Sequence, residues 1–353
     1  MESDPNGEEG IRQRKVDHLD LCAREDVEYR LKTSLLEQVQ LMHQSLPEMS
    51  VGEIDLGVEV VGKRLLAPLC ISGMTGGAER AREVNRGLAQ LAQEEGIAFG
   101  VGSQRAMLVD PTLTDTFKVR DVAPDVVLFG NIGAVQAAQS TTAEIAAVVD
   151  AIGADALCIH LNPAQELIQA GGDRDFRGCV DAIARLVAEL HVPIIAKETG
   201  CGMSPSTVAR VAAAGVEWID ISGAGGTTWV GVEALRAREG RRLIGEDFWE
   251  WGIPTAAAVV YGTRAGRKVI ASGGIRNGHD VARALALGAT CCSMALPFLR
   301  AFMDGGIEGA RAFHRRVVDG LEAAMLLTGS RTPADLARVP RVLGPALRSW
   351  IEA

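Results

Sequence analysis

The sequence predicts an α/β protein built on a (β/α)₈ barrel, with a helical and hairpin extension at its N-terminus. Three observations predict it. Eight short apolar runs recur from residue 66 onward, most gaps between them carry an amphipathic helical pattern, and each run ends in polar or glycine-rich residues. The runs lie at 66–72, 97–102, 126–132, 156–162, 193–198, 218–223, 268–274 and 291–295. They are continuously apolar rather than alternating, as strands buried on both faces of a parallel sheet must be. The gaps read as helices in stretches such as AERAREVNRGLAQLAQEEG at 78–96 and GHDVARALALGA at 278–289; the link at 103–125 is the least regular. Eight β/α units over about 230 residues match the size of such a barrel. A doubly wound sheet is the alternative, but no GxGxxG follows the first run.

Ahead of the barrel, residues 1–13 read as a flexible acidic tail and 14–65 as an extension contributing to the active-site mouth. Within it, 17–46 suit one or two polar helices. Residues 51–66 alternate like a β-hairpin with Gly57 and Gly62 as turn signals. Residues 66–353 then form the barrel and its C-terminal helices.

Composition narrows the function classes. Of 353 residues, 47% are hydrophobic and 23% charged, enough for a large core. A formal net charge of −9 argues against a general nucleic-acid binder. Seven cysteines without a CxxC pair fit scattered thiols in a reducing cytosol better than a disulfide framework. MESDPNGEEG has no apolar core and is no secretory signal. No uncharged apolar run reaches the ~18 residues of a membrane span. The expectation is a cytoplasmic protein without a membrane or nucleic-acid partner.

In a barrel, chemistry sits where strands end and βα loops begin. The first run ends in Ser72, Gly73, Met74 and Thr75, the second in Ser103, Gln104 and Arg105, and the third in Asn131. The fourth ends in HLNPAQE, with His160, Asn162, Gln165 and Glu166 within seven residues. Polar groups that dense at a buried strand end form either a structural hydrogen-bond cluster or a reaction centre. The fifth ends in Lys197-Glu198, the sixth in Ser222 and the GAGGTT loop with Thr227. SGGIRNG closes the seventh, with Gly274, Ile275 and Arg276, and the eighth ends in Ala295 and Leu296.

Glycines that let backbone N–H groups reach an anion, followed by a helix start, make SGGIRNG a phosphate-site candidate. Lys197 has three readings: a Schiff base, an internal pair with Glu198, or a donor to an electron-rich cofactor ring. Glu166 is a metal ligand, a general base or a helix-start charge. One carboxylate among neutral neighbours suits Mg²⁺ shared with substrate phosphates. Zinc fits poorly, because His160 has no His or Cys at ligand spacing. A satisfied core histidine remains open for His160. Arg14, Lys15 and His18 are solvated charges unless their segment folds over the barrel mouth.

Taken together, RKVDH, APLCISGMTGG, GSQR, HLNPAQE, AKETG, ISGAGGTTW, SGGIRNG, FWEWGIPT and ALPFL resemble the flavin-dependent, type 2 isopentenyl-diphosphate isomerases. The resemblance runs from about residue 14 to 299. It implies interconversion of isopentenyl and dimethylallyl diphosphate with FMN and Mg²⁺, NADPH or NADH serving only to reduce the flavin. It implies FMN contacts from Ser72, Gly73, Met74, Thr75, Ser103, Asn131, Lys197, Ser222, Thr227, Gly274, Ile275, Arg276, Ala295 and Leu296. Arg14, Lys15, Ser103, Gln104, Arg105 and Gln165 meet the substrate in that reading. His160, Asn162 and Gln165 stand at the reacting centre, and Glu166 binds Mg²⁺. A homo-oligomer, tetramer or octamer, is expected. The rivals are an FMN-dependent 2-hydroxy-acid or nucleotide dehydrogenase on the same barrel, and a non-catalytic FMN-binding protein.

Overall fold

The structure is a computed structural model that describes residues 8–353, with side chains from Gln13 onward; residues 1–7, most of the expected tail, lie outside it. Eight strands close a parallel barrel: β1 (Leu69–Ile71), β2 (Ala98–Gly100), β3 (Leu128–Gly133), β4 (Ala156–Leu161), β5 (Ile194–Glu198), β6 (Trp218–Asp220), β7 (Lys268–Ser272) and β8 (Cys291–Met294). Each pairs with its neighbour in sequence, and Met294 beside Ile71 closes the ring. Every strand falls inside one of the apolar runs or overlaps it.

Period-two alternation sorts the strand side chains into two cores. Cys70, Ala98, Phe129, Ala156, Cys158, Ile195, Trp218, Ile270 and Cys291 fill the lumen. Leu69, Ile71, Leu128, Ile132, Leu157, Ile159, Ile219 and Val269 pack outward against the helices. The antiparallel hairpin Val58–Val60 with Lys63–Leu65 adds Val60 and Leu65 to the lumen cluster. Lys63 also reaches Asp155, just before β4, at 2.6 Å. The hairpin therefore plugs the N-terminal end of the barrel and leaves only the C-terminal rim open.

The extension departs from expectation in three places. The N-terminal helix Glu8–Arg24 includes residues read as tail. No second polar helix forms in 25–46. That stretch runs irregularly across the barrel rim, because its backbone groups bond to loops instead of to themselves: Tyr29 N–H to Gly226 O, Thr228 N–H to Val27 O, Ala256 N–H to Ser34 O. It ends in a short strand, Val39–Leu41, antiparallel to Arg341–Leu343 near the far end of the chain. The hairpin is also shorter than 51–66. Its turn is Val61-Gly62, both at positive φ, whereas Gly57 donates its N–H to Asp55.

After β8 the helix Leu296–Thr328 bends at Gly305 and Gly306, whose backbone angles are non-helical. Among the described residues no helix is long and apolar enough to cross a membrane. All seven cysteines are unpaired thiols.

Candidate active site

One cavity opens at the C-terminal rim, and it gathers nearly every candidate residue: Arg14 and Lys15 from the N-terminal helix, then residues from the ends of all eight strands. Gln104 is the exception. It is fully buried, its amide N–H donates to Val148 O at 3.0 Å, and its Oε1 accepts the Asn131 N–H at 2.9 Å. It braces β3 from behind rather than facing a ligand.

The electrostatics of the cavity are lopsided. Arg14 is buried, and its Nη1 has no hydrogen-bond partner. Arg105 stands near enough to disfavour the charges of Arg14 and Lys15. Burial first, then the charges of Arg14 and Arg105, lower the Lys15 ammonium to about 7. Arg105 has one carboxylate within reach, Asp173 at 3.6 Å. Cations crowded in this way call for a polyanion.

Across the cavity, HLNPAQE divides its roles. The His160 ring is held by Asn131, Nδ1 to Oδ1 at 2.8 Å. Asn131 directs its Nδ2 at Val101 O, which can only accept, so its Oδ1 accepts from the ring and the ring proton sits on Nδ1. Burial, then the charges of Lys15, Lys197 and Arg105, lowers His160 to about 3. It is a neutral imidazole with Nε2 as an acceptor.

Glu166 is buried and, among the described residues, accepts from neutral donors: Asn162 Nδ2 at 2.9 Å, Gln169 Nε2 at 3.2 Å and the Asp173 N–H at 2.8 Å. Burial raises its carboxyl above the usual range. No cluster of three or more metal-type ligands exists among the described residues. Any cation here must therefore share Glu166 with ligand oxygens and water, which suits Mg²⁺.

Glu233, on helix Trp229–Arg236, was not singled out by the sequence, yet it is the buried pivot of this wall. It accepts from His18 Nε2 at 2.7 Å, Gln165 Nε2 at 3.4 Å and Arg236 Nη1 at 2.8 Å. Burial opposes its charge, but the bonds to His18 and Arg236 win and hold it down at about 2. The His18 ring meets Trp229 edge-on, centroids 5.0 Å apart. The only sequence signal was the Trp that ends ISGAGGTTW.

The opposite side fits a flavin phosphate and ring. Thr75 Oγ1 is buried without a partner. Gly273 and Gly274, at positive φ, lie so close to the β6 loop that a Cβ would meet Gly223 O at 2.0 Å or Gly225 O at 2.6 Å. Arg276 reaches Glu28 of the rim segment through Nε at 3.1 Å and Nη2. Lys197 does not pair with Glu198. Its Nζ lies 2.9 Å from Asp220, while Glu198 turns to the amides of Gly200, Cys201 and Gly202.

Comparison with known proteins agrees. The model of the FMN-dependent dehydrogenase family matches residues 160–341. An isopentenyl-diphosphate delta-isomerase of Methanosarcina mazei is 43% identical over 96% of this chain and 94% of its own. Those of Thermococcus kodakarensis and Pyrococcus horikoshii are 43% and 41% identical over 96% of the chain. The chain belongs to the FMN-dependent isopentenyl-diphosphate isomerases. A mandelate oxidase structure with an FMN adduct superposes with a TM-score of 0.64, covering 92% of this chain and 95% of its own at 16% identity. That likeness speaks for the barrel alone. The cation-crowded mouth and the glycine-lined side described above belong to one cavity.

Proposed function

We propose that this chain interconverts isopentenyl and dimethylallyl diphosphate, with FMN reduced by NADPH or NADH and Mg²⁺ on the diphosphate. The observation that carries this is the crowd of Arg14, Lys15 and Arg105 opposite a buried Glu166. A single carboxylate substrate, as in a 2-hydroxy-acid dehydrogenase, would leave that charge unmatched. A diphosphate with a divalent cation matches both sides.

The reaction adds a proton to the terminal alkene carbon and removes one from the allylic methylene, shifting the double bond by one position, so no net electron is transferred. When bound and reduced, FMN supplies the acid and base for this and an electron-rich face for the cationic state. The chain's own residues do the rest. Arg14, Lys15 and Arg105 hold the diphosphate, and Glu166 would hold Mg²⁺, whose charge would offset that of the diphosphate. Gln165 cannot titrate; with its amide between Asn162 and Glu233, it positions the substrate. Neutral His160 offers an acceptor without adding charge. Trp229 and Leu19 wall the apolar end and exclude water.

The enzyme works in the cytoplasm, in keeping with its seven thiols, and as a homo-oligomer. The latter is supported by an exposed apolar surface of Leu31, Leu243, Ile244, Phe248 and Trp251. The deciding experiment supplies chemically reduced FMN, Mg²⁺ and isopentenyl diphosphate. Many turnovers per flavin are expected, with the flavin still reduced at the end. A flavin-loaded, reduced protein that forms no dimethylallyl diphosphate would overturn the reading.

A further inference from the structure

We propose that Asp220 is a positioning residue that keeps the Lys197 ammonium charged and fixed at the cavity floor, and thereby sets the redox balance of the bound flavin. The inference rests on the FMN reading and extends it to a residue beneath the site.

Lys197 and Asp220 are register partners on β5 and β6. Their ion pair measures 2.9 Å, with both side chains almost wholly buried. Asp220 is itself braced. Its Oδ1 accepts from Ser272 Oγ on β7 and from the Ser222 N–H at 3.3 Å. Ser222 is held at φ +25°, a left-handed conformation that a serine adopts only when its surroundings impose it. Three consecutive strands thus converge on one carboxylate.

The geometry separates the two partners. Lys197 lines both the main cavity and a small void below it, whereas Asp220 lines only the void, with Ser293, Cys70, Cys158 and Asn131. Asp220 therefore acts on a ligand through Lys197. The titratable groups around the lysine are few. Cys70 comes from β1, Cys158 and His160 from β4, and Glu198 turns its carboxylate to the loop amides. Burial alone would strip the proton from Lys197, but Asp220 outweighs it and raises the ammonium's pKa. Removing one partner of a buried pair leaves the other uncompensated. A lysine so stranded loses its proton toward neutral pH. A cation that disappears no longer favours the more negative, reduced flavin.

The test reconstitutes the full chain with FMN and follows the flavin midpoint potential from pH 6 to 9. Wild type should show the flavin's own slope. Asp220→Asn should add a bend as Lys197 titrates. At the alkaline end, a tenfold loss of preference for the reduced form corresponds to about 30 mV for a two-electron couple. Lys197→Met and the double variant should show no bend. An FMN-loaded Asp220→Asn whose potential runs parallel to wild type overturns the proposal. Should that variant fail to fold, ¹⁵N-lysine spectra of the wild type decide: one ammonium signal, missing in Lys197→Met, should stay charged to pH 9. Its titration near neutrality overturns the proposal too. Failure of the wild type to bind FMN sinks the functional reading instead, and the lysine spectrum still judges the ion pair.

Discussion

Lys15 is pressed from two sides, by burial and by the neighbouring arginines, and its ammonium titrates at about 7 instead of near 10. The sign follows from proton counts. Between those two values the folded chain holds fewer protons than the unfolded one, so this residue's contribution to stability rises with pH. A diphosphate reverses the pressure. Binding inorganic pyrophosphate at pH 8 should take up roughly 0.5–1 proton, seen as buffer-dependent heats in calorimetry, and Lys15→Met should abolish the uptake. Arg14→Ala should raise KM for isopentenyl diphosphate about tenfold or more, since a charge-assisted bond contributes ~1.5–3 kcal/mol. Its FMN affinity should match wild type; unchanged kinetics would return Arg14 to the surface charges. Glu166→Gln should lower activity mainly by raising the Mg²⁺ concentration needed, with flavin retained. An unaltered Mg²⁺ titration would move the metal elsewhere. HLNPAQE was legible because so many polar side chains at the end of a buried strand are costly unless they pair or bind a ligand. Asp220 was not, since WID reads as ordinary strand and its partner lies on the neighbouring strand, 23 positions earlier in the chain.

The rim segment after the N-terminal helix is an element without regular structure of its own. Tyr29 pins it, its hydroxyl lying 2.9 Å from Gly200 O and 2.7 Å from Trp251 O, with its one proton donated to either carbonyl. The Glu250 carboxylate accepts the N–H groups of Arg30 at 2.8 Å and Lys32 at 2.7 Å. Tyr29→Phe removes the one donor that these two carbonyls share and should cost about 1–3 kcal/mol. Because this segment carries the helix bearing Arg14 and Lys15, faster amide exchange across 13–34 should accompany a higher KM. A stability loss with KM unchanged would show that the helix holds its place independently. This element was the part of the fold that sequence pattern missed. Periodicity detects segments that bond to themselves or bury one face, and a chain satisfied by distant loops leaves neither trace. The barrel strands, buried on both faces, left a strong one.

At the scale of the molecule, the net charge of −9 and the cationic mouth pull in opposite directions. The acidic surface discourages bulk nucleic acid while the mouth selects small anions. The exposed aromatic and aliphatic surface around Trp251 should be covered by a second copy. Light scattering should give a multiple of 37.3 kDa, and Leu243→Glu with Trp251→Glu should reduce it to one chain. A wild-type protein already monomeric would remove that expectation. The ring of eight strands was legible as a count and an order. Its closure and the plug of its lower end depend on contacts no local pattern encodes.

The pairing of Val39 with Leu343 ties together residues about 300 positions apart, a long loop to close. During synthesis at ~5–20 residues per second, the early strand waits tens of seconds for its partner to leave the ribosome. Through that interval the segment carrying Arg14 and Lys15 lacks the tether that Arg341–Leu343 supplies. This part of the mouth is thus translated before the barrel and secured only after it.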